Sequence, residues 1–199
     1  MSTTIRIIGP QDHGRRMSLA EFEPIEVQPG YLYELSCGVI TVSDVPDPKH
    51  FSQVDLLRQQ LAVYRTQHPG QIHRVGSGAD CKILIPEKES ERHPDISIYK
   101  NPQPDVPDFW AHWIPEIVIE VVSPSSEYRD YVEKRDDYFR VGVQEYWIVD
   151  AGRQEVLILN RSGEEWSERV LRPPKVYRTR LLPGFKFACE PVFQAATGR

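Results

Sequence analysis

Between Pro48 and Gln67 the apolar residues Phe51, Val54, Leu57, Leu61 and Tyr64 recur at steps of three and four, and His68-Pro69-Gly70 follows. That spacing predicts an amphipathic helix with a built-in stop. Elsewhere the apolar runs shorten to strand length. Residues 31–35 and 39–42 flank Ser36-Cys37-Gly38 and read as a hairpin. Residues 72–75, 81–85 and 95–99 read as strands, separated by turn-rich stretches at Gly76-Ser77-Gly78 and 86–93. After a Pro- and Asp-rich loop over 101–113 comes the strongest strand signal, Glu116-Ile117-Val118-Ile119-Glu120-Val121-Val122. Ser123-Pro124-Ser125-Ser126 then turns into a helix expected to run to Val141, with Gly142 just past its end. Residues 145–149 and 155–159 form a strand pair around Asp150-Ala151-Gly152, where Asp150 suits a turn cap, and 166–171 and 176–182 add strands. At the other end, residues 1–16 are polar and read as an extension with a short strand at 5–8. Met17-Ser18-Leu19-Ala20-Glu21-Phe22 reads as a helical turn capped by Ser18. Helix, strands, helix, strands is the order of an α/β (α+β) fold, a central mixed β-sheet flanked by helices, in a single domain over 17–199.

Composition narrows the class. The 199 residues are 40% hydrophobic and 27% charged, the profile of one soluble globular domain with a core of its own. No apolar run approaches bilayer length, and the N-terminus lacks the apolar stretch of a secretory signal, so a cytoplasmic location is expected. Cys37, Cys81 and Cys189 form no CxxC pair and are expected to be reduced and mostly buried. The six histidines show neither HxH nor HExxH spacing, so a histidine-built metal site is not indicated. The net charge of −5 predicts weak, salt-sensitive binding to nucleic acid unless basic surface is gathered locally or by a second subunit.

Two acids stand out against this background. Asp95 opens a strand, and Glu120 sits inside an apolar one, where its neighbours Ile119 and Val121 must point to the opposite face. A carboxylate in that position is costly to bury without a cation, a donor or a metal. On adjacent strands the two carboxylates could converge on one Mg²⁺ or Mn²⁺, which activates water and offsets charge on an attacked phosphoryl group. Taken singly, an Asp at a strand start is usually a turn acceptor, and a strand Glu usually pairs with a basic residue. The next helix adds Asp130, Lys134 and Tyr138, four apart and on nearly one face. They make either an ion pair on a solvated face or a lysine that reaches back to Glu120 and an attacking water. Tyr131 and Phe139 are expected to help cover the sheet. No nucleophile elbow is present, which argues against a serine hydrolase.

Pro94-Asp95, the run from Pro115 through Glu120 to Ser126, and Lys134, Tyr138 and Gly142-Val143-Gln144-Glu145-Tyr146-Trp147-Ile148-Val149-Asp150 together resemble the Uma-type "putative restriction endonuclease" family of the PD-(D/E)XK nuclease superfamily. The similarity extends from Met17 through Tyr33-Glu34-Leu35 to Pro183-Gly184-Phe185. It implies a restriction-endonuclease-like core, DNA as substrate, and Asp95 and Glu120 as ligands of Mg²⁺ or Mn²⁺. The superfamily's lysine usually lies two residues after the second acid. Here Val122 stands there, so Lys134 is the implied replacement, and Glu34 is a further candidate acid. Val39 follows Gly38 where family members commonly carry another acid. The leading expectation is a divalent-metal-dependent endonuclease, compatible with a homodimer that sets two sites against two strands. The alternative, motivated by Val122, Val39 and the net charge, is a degenerate nuclease fold acting as a binding module. An enzyme on another phosphate ester comes third.

Overall fold

The two-residue alternation of residues 117–121 decides how the molecule is layered. The computed structural model describes residues 7–197. Its first half holds β1 (Ile7–Ile8), α1 (Leu19–Phe22), β2 (Glu26–Val27), β3 (Tyr31–Ser36), β4 (Val39–Asp44), α2 (Pro48–Gln67), β5 (Arg74–Gly76), β6 (Ile83–Ile85), β7 (Ser90–Arg92) and β8 (Ile96–Tyr99). The second half holds β9 (Ile117–Val121), α3 (Lys134–Val141), β10 (Glu145–Asp150), β11 (Glu155–Ser162), β12 (Glu165–Leu171), β13 (Val176–Tyr177), β14 (Phe187–Ala188) and α4 (Cys189–Ala195). The main sheet has the order β12-β11-β10-β9-β8-β5. It is antiparallel except for β9 and β10, which run parallel and are joined by the α3 crossover. A second sheet, β4-β3-β7-β6, carries the hairpin.

Ile117, Ile119 and Val121 pack with Leu57, Leu61 and Tyr64 of α2 and with Val192 and Phe193 of α4. Val118 faces the other way, into Ile83 and Ile85 of β6, Tyr138 of α3, and Tyr146 and Ile148 of β10. The sheet is thus covered on both faces, and Glu120 points to the α3 side. A third cluster joins Ile8, Leu19 and Phe22 to Leu35 and Ile40 of the hairpin. Residues 7–16 of the expected extension therefore lie along this sheet, with Gly14 N–H bonded to the Ile40 carbonyl. Of the strand expected at 5–8, β1 holds residues 7 and 8, paired in parallel with β2, and residues 5 and 6 lie outside the described residues.

Local chemistry explains the boundaries. Ser18 and Glu21 form a reciprocal capping box on α1. Asp47 accepts from His50 N–H ahead of Pro48, which starts α2. Gly142 takes φ 98° to close α3. Two expectations need correction. The stretch 86–93, read as turns, contains β7, whose residues are all buried. Its charged Glu91 and Arg92 conceal the strand from any hydrophobic pattern. The strand expected over 176–182 ends at Tyr177, and α4 follows Phe187–Ala188, too short and too interrupted by Pro191 for its periodicity to register. Cys81 and Cys189 are buried, Cys37 is exposed, and all three are free. Among the described residues no helix is long and apolar enough to cross a membrane.

Candidate active site

Asp95 immediately precedes β8 and Glu120 lies near the end of its antiparallel neighbour β9. Asp95 N–H donates to Glu120 Oε2 at 3.4 Å, and Asp95 Oδ2 accepts from Val121 N–H at 2.8 Å. The sheet therefore brings the two acids together at one end of the β8–β9 pair. Glu120 is buried, and its Oε1 accepts from Tyr138 Oη at 2.5 Å and faces Lys134 Nζ at 3.1 Å. Lys134 Nζ is also 3.1 Å from Asp130 Oδ1 and 4.0 Å from Glu34 Oε1.

The helix delivers these groups because its first turn, Arg129–Glu133, is π-helical before α3 begins. Such widened turns re-aim side chains and recur at functional sites. Ser126 Oγ donates to Asp130 Oδ2 at 2.6 Å, and Tyr146 Oη donates to the Asp130 carbonyl, which fixes the turn from below. The face carrying Asp130, Lys134 and Tyr138 is not solvated: these residues are 1%, 6% and 0% exposed. On this buried face Lys134 makes both contacts, the i,i+4 pair with Asp130 and the reach back to Glu120. Tyr138 fills the space over the sheet, while Tyr131 and Phe139 are half-buried beside it.

The electrostatics of the cluster are unbalanced. Burial pushes the Glu120 carboxyl up to about 8, and Asp95, Asp130 and Glu34 reinforce the shift against the opposing pull of Lys134. For Lys134, burial opposes the charge, but Asp130, Glu120, Glu34 and Asp95 together raise it well above the ordinary lysine value. The acids around this single ammonium add to burial in raising Glu120 and outweigh burial in raising Lys134. Glu34 differs. Burial resists its charge, yet Lys134, Arg92 and the His93 N–H hold its carboxyl down at about 2. Its Oε1 accepts from His93 N–H at 3.1 Å and its Oε2 lies 3.5 Å from Arg92. Glu34 thus joins the cluster at its margin.

One participant escaped the sequence pattern. His50, in the first turn of α2, places Nε2 3.1 Å from Asp95 Oδ2 and 3.0 Å from the Val121 carbonyl oxygen. Burial works against its charge, but the hydrogen bond and field of Asp95, the Val121 carbonyl and Glu120 raise its pKa above the ordinary value. The signal was available. Gln53, Leu57, Leu61 and Tyr64 are the buried positions of α2, with His50 and Val54 partly buried beside them, whereas Phe51, counted in the apolar stripe from the sequence, is 66% exposed.

Divalent-cation chemistry suits this donor set. Asp95, Glu120 and the Val121 carbonyl offer oxygen atoms, the ligand type preferred by Mg²⁺ and Mn²⁺. The buried negative surplus around Glu120 is what such an ion would offset. Among the described residues no three His, Cys, Asp or Glu side chains close into a preformed cage, and Mg²⁺ is commonly held by one or two carboxylates with water completing its shell. The group opens on a cleft of about 1540 Å³ whose lining includes Asp95, Glu120, Lys134, His50, Phe51 and Arg129.

Residues 19–190 match the Uma2 family, described as "Putative restriction endonuclease". Among solved structures, the chain is similar to a putative nuclease belonging to DUF820 from Anabaena variabilis ATCC 29413. The TM-score is 0.72 at 18% identity, over 90% of this chain and 99% of that one. That likeness shows the fold, the restriction-endonuclease-like mixed sheet expected from the sequence. A comparison with curated proteins finds no match.

Proposed function

We propose, starting from the fact that this chain belongs to the Uma2 family, that it is a divalent-metal-dependent endonuclease hydrolysing DNA phosphodiester bonds. The observation that carries the reading is Lys134 Nζ held 3.1 Å from a buried Glu120 whose strand neighbour is Asp95. Asp95 and Glu120, with the Val121 carbonyl, would hold Mg²⁺ or Mn²⁺. Bound there, the ion lowers the pKa of a water and offsets charge on the phosphoryl group. Lys134 adds a fixed positive charge beside the attacking water and stabilises the negative charge that develops on the phosphoryl oxygens. Asp130, anchored by Ser126, holds the ammonium in that place, and Tyr138 holds Glu120 by its other contact. Glu34 is retained as a candidate further ligand, although its oxygens face Arg92 and His93 N–H. A homodimer would present two such sites to the two strands of a duplex.

Plasmid cleavage in Mg²⁺ or Mn²⁺ tests the reading. Asp95→Asn and Glu120→Gln are expected to remove cleavage by on the order of 100-fold or more with the fold intact, and Lys134→Met to reduce it. Equal cleavage by wild type and both acid variants would identify a contaminant and overturn the assignment. Undiminished cleavage by Lys134→Met alone would remove only the lysine from the site. The competing reading, a fold that binds DNA without cutting it, is favoured by Val122 at the usual lysine position. It predicts cation-independent DNA binding and no cleavage by any of these proteins.

A further inference from the structure

We propose that His50 is a direct ligand of the cation held by Asp95, a role that rests on the divalent-cation reading above. Its Nε2 lies 3.1 Å from Asp95 Oδ2 and 3.0 Å from the Val121 carbonyl oxygen. Those separations match neighbouring ligands on an octahedral ion. With bonds of about 2.1 Å, adjacent ligand atoms sit about 3.0 Å apart. Nε2–H faces both oxygens, and for Nε2 to bind a cation that proton moves to Nδ1 or, from the doubly protonated ring, to solvent, leaving a neutral imidazole protonated at Nδ1.

The second observation concerns the rest of the ring. His50 Nδ1 is buried without a hydrogen-bond partner among the described residues. Every polar contact that orients the imidazole therefore passes through Nε2 to the atoms that would bind the ion. The helix adds the means of delivery. Asp47 caps α2 by accepting from His50 N–H, which fixes the turn that carries the ring over the end of β9. This brings a ligand from the α2 layer to a site whose acids come from the sheet, and it ties the ion to both faces of the core.

Electron spin-echo envelope modulation of Mn²⁺ bound to the untagged protein tests the assignment. Wild type is expected to show ¹⁴N modulation from a directly bound imidazole, converted to the ¹⁵N pattern when only the histidines are ¹⁵N-labelled. His50→Gln is expected to lose the modulation and to weaken Mn²⁺ binding by on the order of 10- to 100-fold. Mn²⁺ bound in an Asp95-dependent manner but without nitrogen modulation would overturn the role of His50 and leave the cation reading standing. Modulation that survives in His50→Gln would do the same. Mn²⁺ that fails to bind, or that binds Asp95→Asn as tightly as wild type, would remove the cation reading and this inference with it. If the variant does not fold, absence of nitrogen modulation in wild type still overturns the role of His50.

Discussion

Glu34 and Glu120 both lie against Lys134, with side chains 12% and 3% exposed, yet their carboxyls shift in opposite directions. Glu34 is held down at about 2 and Glu120 is pushed up to about 8. Burial works the same way on both, so it does not set the sign. The difference is the supply of positive charge. Glu34 also faces Arg92, a fully buried guanidinium that bonds Asp137 at 2.9 Å and Ser36 at 2.8 Å, while Lys88 supports Asp137 from the other side. Glu120 shares one ammonium with Asp130 and has Asp95 beside it. One region of the molecule is closed on itself by its own cations. The other keeps a surplus of acid and faces the cleft.

The largest effect is expected on the closed side. Arg92→Met strips Asp137, Glu133 and Glu34 of their shared partner, and leaving buried charges uncompensated costs roughly 3–5 kcal/mol. Urea unfolding should show the loss as a lowered midpoint. A loss below about 1 kcal/mol would mean that the Arg92 cluster is no better knit than a surface ion pair.

Titration of stability separates the two acids next. For Glu34 the folded-state pKa is depressed, so its contribution is complete above pH 4.5 and is lost as pH falls toward about 2. For Glu120 it is raised. The folded state binds the proton more tightly, and stability declines as pH rises from 4.5 through about 8 in the metal-free protein. Unfolding midpoints measured across both windows should fall at each end, with Glu120→Gln removing the alkaline decline and leaving the acid one. An alkaline decline that persists in Glu120→Gln would place the surplus elsewhere.

How far this contrast could be foreseen follows from what each residue looks like in one dimension. The face of Glu120 was legible, because a period of two among Ile117, Ile119 and Val121 leaves it no other side. The reach of Lys134 was legible only as a choice between two accounts, since four-residue spacing fits a solvated pair equally well. The ends of α2 matched the expected Pro48–Gln67, where Asp47-Pro48 and His68-Pro69-Gly70 are strong local signals. Arg92 was hidden for a physical reason. A buried arginine makes β7 read as a polar turn, and its partners Glu34 and Asp137 lie 58 and 45 positions away in sequence. The π-helical turn at Arg129–Glu133 has no residue signature, although it decides where Lys134 points. His50 escapes a reading of α2 that follows only the apolar positions, and the histidine spacing shows no metal pattern.

A smaller effect probes how Glu120 is held. Tyr138→Phe deletes the hydroxyl that donates to Glu120 Oε1 and should cost about 1 kcal/mol in unfolding free energy. Cleavage should fall by less than in Glu120→Gln, since Lys134 still orients the carboxylate. Loss of cleavage as complete as in Glu120→Gln would promote the tyrosine from support to participant.

The central claim is that the acid surplus around Glu120 and Asp95 is a place for a divalent cation, and cation-linked stability tests it without any nucleic acid. Urea unfolding at pH 8 with and without saturating Mn²⁺ should show a higher midpoint with the ion for wild type, corresponding to a gain of about 2.7 kcal/mol in unfolding free energy at one hundred times the dissociation constant. The gain should vanish in Asp95→Asn and Glu120→Gln. An unchanged wild-type midpoint, or the same gain in both variants, would contradict the account.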